Sequence, residues 1–141
     1  MKSFYHPNEA LHHPKTYLSR GQMRPPQELP IRAAKLVEGF ERMNRLLLEP
    51  KDHGLDAILN VHDAGYLDFL QTAWKEWTAL GPDWGDEVMS NVYVRERNPL
   101  RGILGKTARY LADGSCPVGE HTWTSAYWAA QAAIAASHAV L

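Results

Sequence analysis

The sequence has a single cysteine, Cys116, which excludes an internal disulfide and a multi-cysteine zinc site and points to a small apolar group in a reduced compartment. It has no surplus of either charge: 15 Lys and Arg face 16 Asp and Glu, a formal net charge of -1. Neutralising phosphates or anionic lipid requires a basic excess, so nucleic acid is not an expected partner. The opening MKSFYHPNEALHHP lacks the apolar core of a secretory signal, and a cytoplasmic location is expected. No run is hydrophobic enough for transfer energy to make a membrane an expected partner. In the final stretch Gln131, Ser137, His138 and many alanines keep hydropathy below that of about 20 strongly apolar residues. Internal repeats, low-complexity runs and a second-domain linker are also missing. What remains is the length and the 45% hydrophobic content of one globular domain.

The stretch His121 to Leu141 lacks something else: it has no Asp, Glu, Lys or Arg. Trp123, Tyr127, Ala130, Ile134 and Leu141 recur at helical spacing, with Trp128, Ala132, Ala135 and Ala139 beside them. The pattern predicts a helix, N-capped by Thr122, apolar nearly all round and buried on several sides. It closes on Val140 and Leu141 without a Gly or Asn cap or a basic last turn, so a fragment of a longer protein is expected.

Earlier in the chain, Lys2 to His6 predicts a short strand. From there to Pro30, the prolines at 7, 14, 25, 26 and 30 with Gly21 predict a long loop, and its His12, His13, Tyr17, Arg20, Met23 and Arg24 suggest a functional one. Pro30 suits a first helical turn, and Ala33, Leu36, Val37, Phe40, Met43 and Leu47 extend the helix to about Leu47. Glu38 with Arg42, and Glu41 with Arg45, are i,i+4 pairs on its solvated face. Pro50 and Gly54 break the chain, residues 55–61 suggest a helical turn, and Asp63 N-caps a helix that runs to about Leu80. Residues 81–100 read as an irregular segment with a short strand at Asn91 to Val94, and Gly102 to Leu111 as a short helix.

Chemistry is harder to find. Gly105-Lys106-Thr107 imitates the end of a phosphate-binding loop, but Leu100 stands where its first glycine belongs. The sequence has 7 histidines, none at the i,i+4 spacing with carboxylates that a helical zinc site needs. No Ser-His-Asp or Cys-His set can be placed, so no self-contained active site is expected.

RPPQELPIRAAKLVEGF at Arg24 to Phe40, NVHDAGYLDFLQTAW at Asn60 to Trp74, and GSCPVGEHTWTSAYWAAQAAIAASHAVL at Gly114 to Leu141 carry a resemblance. In this order and spacing they resemble the N-terminal part of the histone deacetylase superfamily, nearest its bacterial acetylpolyamine amidohydrolase branch. The resemblance implies an α/β, arginase/deacetylase-like three-layer fold, of which this chain is only the N-terminal, mostly helical part. It implies a zinc cofactor whose bound water attacks an acetyl amide, with a histidine pair as acid and base and a tyrosine on the oxyanion. Those residues and the zinc ligands are expected beyond Leu141, for Gln27 and Glu28 in RPPQE stand where a glycine and a histidine would be needed. The chain alone is expected to be inactive.

The same resemblance assigns residues 1–30 to a strand and first active-site loop, 31–80 to helices, 81–105 to a dimerisation and channel insertion, and 121–141 to a buried Ala-rich helix. Arg32, in Pro30-Ile31-Arg32, matches an arginine that lines an internal channel behind the metal; the other reading is an exposed residue at a helix start. His13, Tyr17 and Glu28 correspond to the substrate entrance or, individually, to surface loop. Trp84 and Tyr93 correspond to a homodimer interface, and Asp86 and Glu87, with Asp113 and Glu120, are nearby candidates for the acidic groups that meet a distal ammonium. The implied substrate is an acetylated polyamine or an acetyl-lysine-like small amine. The alternative is a non-catalytic helical interaction module, or an inactive remnant of such an enzyme.

Overall fold

The computed structural model describes residues 2–94 and 101–141. The part of the expected insertion at 95–100, with Leu100, lies outside the described residues. In chain order the described elements are β1 (Ser3–Phe4), a 3-10 turn (Pro7–Leu11), β2 (Tyr17–Ser19), β3 (Gln22–Arg24), α1 (Pro30–Arg42), β4 (Leu47–Leu48), α2 (Asp56–Leu59), α3 (Ala64–Thr78), a second 3-10 turn (Pro82–Trp84), α4 (Gly102–Tyr110) and α5 (Thr122–His138). They divide into two units, each built from separated stretches of sequence.

The first unit contains Met1–His13, Glu28–His62 and His121–Leu141. Its strands β1 and β4 pair in parallel, Ser3 with Leu47 and Phe4 with Leu48, and the Tyr5 N–H extends the ladder to the Leu48 carbonyl at 3.0 Å. Side chains alternate across a strand. Phe4 and Leu48 accordingly line a cleft of about 350 Å³ with Ala135 and Ala139 of α5, while Tyr5 and Leu47 line one of about 370 Å³ with Val37 and Glu41 of α1. The strand pair therefore has a helix on either face.

Helix α1 opens with Pro30 in its first turn, as the missing proline N–H predicts, and Glu38 pairs with Arg42 across one turn. It stops at Arg42, short of Leu47. Asn44 takes a left-handed φ of 50°, a conformation Asn tolerates, and Leu47 is thereby released into β4. Arg45 then lies beyond the helix, its N–H donating to the Phe40 carbonyl at 2.9 Å, and among the described residues it forms no ion pair with Glu41.

Helix α5 starts one residue before the sequence pattern places it. His121 is the N-cap, without a side-chain capping bond, and Thr122 is already helical. Its buried side chains are Ser125, Gln131 and Ala135, whereas Trp123, Tyr127 and Ile134 are only partly covered. Polar groups fix this face. Ser125 Oγ accepts the His12 N–H at 2.7 Å and donates to the Asn8 carbonyl at 2.8 Å. Gln131, fully buried, accepts the His53 N–H at 2.8 Å and donates to the Gly54 carbonyl at 3.1 Å. Buried polar atoms must be matched in this way because an orphaned one costs about 1–3 kcal/mol.

The second unit contains Pro14–Gln27 and Asp63–Glu120. The expected long loop before Pro30 contains a β2–β3 hairpin here. Arg20 and Gly21 both have positive φ, 52° and 74°, the geometry of a two-residue hairpin turn whose twist suits the flanking strands. The Leu18 N–H donates to the Gly114 carbonyl at 2.9 Å, and a Cβ at position 114 would lie 2.8 Å from that of Leu18, which explains the glycine.

Asp63 caps α3 as predicted, Oδ1 accepting the N–H groups of Gly65 and Tyr66 at 3.0 and 3.3 Å. The buried core joins Phe69, Ala73 and Trp77 of α3 to Val88, Ile103 and Val118. Each large side chain contributes about 1.5–3 kcal/mol by leaving water. No strand forms at Asn91 to Val94; the local pairing is an isolated antiparallel bridge between Val88 and Val118 instead. Val88 is fully buried whereas Val92 is 61% exposed, so burial selects the earlier residue. Lys106 Nζ bonds Glu76 Oε1 at 2.8 Å, an internal ion pair between α4 and α3 rather than a phosphate contact.

Candidate functional site

In the first unit, Arg32 stands in the first turn of α1 and pairs with Glu28 four residues earlier. The two side chains are 61% and 80% exposed, and His13 is exposed too. The structure brings Arg32 and Glu28 together at a solvent-facing helix start. A second cluster, which the sequence pattern hides under an apolar stripe, lies along α5. Tyr127 donates its hydroxyl to Asp52, whose other bond is from the Gly54 N–H at 2.8 Å. Burial, and then the Asp52 carboxylate, push the Tyr127 hydroxyl up to about 12. Asp52 is held below the usual carboxylate range, chiefly by the Tyr127 bond. His6 stacks on Trp128 with ring centroids 3.6 Å apart, and its Nε2 lies 3.3 Å from Glu49.

In the second unit, Tyr17 sits in β2 opposite Arg24, half-buried. Trp84 is 45% and Tyr93 40% exposed. The Trp84 ring packs edge-on against Trp77 at 5.4 Å. Two indoles of α3 hold the backbone around it: Trp77 Nε1 donates to the Trp84 carbonyl and Trp74 Nε1 to the Asp86 carbonyl, each at 3.0 Å. Asp86 and Glu87 both have the same partner, Lys15, through its ammonium and its backbone N–H respectively. Lys15 escapes sequence reading because it lies 71 residues from Asp86, in a stretch without periodicity.

Among the described residues, no three His, Cys, Asp or Glu side chains are placed to hold a metal ion. His53 and His138 pack edge-on with ring centroids 5.0 Å apart and belong to no such group. The described residues therefore do not fit a zinc centre. Nor, among them, is any helix long and apolar enough to cross a membrane.

No family model matches the sequence. The chain is similar to an acetylpolyamine amidohydrolase of Burkholderia pseudomallei, with 58% identity over 99% of this chain and 41% of that protein. It is 35% identical to acetylpolyamine amidohydrolase 1 of Pseudomonas aeruginosa, over 96% of this chain and 40% of the relative, and 33% identical to an acetylpolyamine amidohydrolase of Mycoplana ramosa, over 89% and 38%. A crystal structure of the acetylpolyamine aminohydrolase from Burkholderia pseudomallei, from an iodide soak, matches with a TM-score of 0.96 and 58% identity across 99% of this chain and 41% of that one. The chain thus spans about two-fifths of the length of these relatives. In sequence and in fold the chain matches an N-terminal portion of the acetylpolyamine amidohydrolases.

Proposed function

We propose that this chain is the part of an amidohydrolase for acetylated polyamines, or related acetylated amines, that shapes the substrate entrance and does not hold the metal. The observation that carries this reading is the 58% identity over 99% of the chain to a protein named for that activity. Zinc enters this reading as the cofactor of the whole enzyme, with its ligands among residues outside this chain. When bound, it would supply an activated water and a polarised acetyl carbonyl. In this reading each unit contributes orientation by itself: the first through the Arg32–Glu28 pair at the start of α1, the second through Tyr17 on the hairpin and the segment at 84–87 held by two indoles. Exposed Trp84 and Tyr93 are the anchors of a homodimer in this reading, and the enzyme works in the cytoplasm.

The second reading, a non-catalytic interaction module, draws on α1. Its Leu36, the C-cap Met43 and Leu46 just beyond are 67%, 62% and 75% exposed, apolar side chains that a partner could cover. One experiment separates the two. The natural gene product is weighed, and acetate release from N-acetylputrescine is measured with and without a zinc chelator. The expected result is a polypeptide well above 15.9 kDa with chelator-sensitive activity, and no release by the purified 141-residue chain. Zinc-dependent release by the short chain, or a natural product of 15.9 kDa without activity, overturns the proposal.

A further inference from the structure

Residues 84–87 are gripped from two directions within their own unit. From α3, Trp77 and Trp74 reach the carbonyls of Trp84 and Asp86. From the stretch before β2, the Lys15 backbone N–H donates to Glu87 Oε1 at 2.8 Å and the Lys15 ammonium bonds the Asp86 carboxylate. Asp86 is thus held by its main chain on one side and by its side chain on the other. The hairpin that follows Lys15 has a further tie, from Leu18 to Gly114. The ionisation of the pair responds to the contact: the bond to Lys15 holds Asp86 below the usual carboxylate range, and the same bond raises Lys15.

We propose that Lys15 is a positioning residue that clamps the β2–β3 hairpin to residues 84–87, so that these two stretches of the second unit move as one body. Its consequence for substrate entry rests on the reading above, in which both stretches belong to the entrance; the clamp itself does not. The ion pair is solvent-exposed, with side chains 68% and 58% accessible, so the clamp is reversible and salt-sensitive. The lysine's reach is what matters. No hydrogen bond of the hairpin ladder itself touches residues 84–87, whereas Lys15 uses two separate groups on two consecutive residues.

Hydrogen exchange on the purified 141-residue chain tests this without any assay of catalysis. Lys15→Met is expected to speed exchange about two- to five-fold at Trp84 and Gly85 and, together with them, at Leu18 and the strand amides of the hairpin, the scale set by loss of one exposed ion pair. Lys15→Arg should restore protection, and 0.5 M NaCl should mimic Lys15→Met in the unaltered chain. Lys106→Met, which breaks an ion pair elsewhere in the same unit, should leave both stretches unchanged. Unchanged exchange in Lys15→Met, faster exchange in only one of the two stretches, or a uniform rise across α3 and α4 overturns the proposal. If the clamp holds while the full-length protein does not deacetylate, the functional reading falls alone.

Discussion

At the scale of single residues, the firmest chemistry in this chain is not where the family resemblance directs attention. Tyr127 and Asp52 share a proton-bearing contact in which the carboxylate is held low and the hydroxyl is pushed up to about 12. The sign for stability follows from the tyrosine. Its folded value exceeds its ordinary 10.0, so the protonated form is preferred in the fold. The resulting stabilisation is complete below about 10 and disappears as pH rises through about 12. An ultraviolet titration of tyrosine ionisation should resolve one residue near the top of that range, and Tyr127→Phe should delete it. Asp52→Asn should lower the same transition; a transition that stays put would show that burial alone sets it. Asp52 behaves in the opposite sense, its depressed value giving a contribution that is present above the ordinary carboxylate range and lost as pH falls through the folded one.

At the scale of elements, local signals and tertiary ones part company. The Asp63 cap and the Pro30 start of α1 were legible because each depends on the chemistry of orphaned backbone N–H groups within one turn. The hairpin was hidden because Gly21 reads equally well as a breaker, and Arg20 is an unusual residue for a positive φ. That strain yields a prediction: Arg20→Asn should raise the stability of the second unit by about 0.5 kcal/mol, since Asn accepts the left-handed region more readily than Arg. Thermal unfolding followed by circular dichroism would register it as a higher midpoint, and an equal or lower midpoint would count against the turn geometry. The period of α5 was legible, but its buried face was not. Ser125 and Gln131 sit deepest because distant backbone groups at His12, His53 and Gly54 need partners there, a demand that the residues of the helix cannot announce. The candidate site divides in the same way. The resemblance singles out Arg32 by its Pro-x-Arg match and Glu28, Asp86 and Glu87 only by the stretches they lie in, while the partnering of Asp86 and Glu87 with Lys15 arises only when the fold closes.

At the scale of the whole molecule, the two units have different interiors. The second is built on apolar contact among Phe69, Ala73, Trp77, Val88, Ile103 and Val118. In the first, the buried apolar side chains among the described residues are Pro50, Ile58 and Ala135, and the polar His6, Ser125 and Gln131 are buried among its elements. Apolar burial scales with area removed from water, whereas a satisfied hydrogen bond nets only about 1 kcal/mol. Hydrogen exchange in increasing urea should therefore show α5 losing protection at lower denaturant than α3. Coincident loss, or the reverse order, would mean that the polar staples contribute more than this balance allows.

The discontinuity of the units also sets a timetable. The stretches of the second unit end at Glu120, while the first needs α5 to supply the partners of His12, His53 and Gly54. During synthesis, the second unit can close as soon as Glu120 leaves the ribosome. The opening residues must wait for α5, because the His12 N–H finds Ser125 only 113 residues later.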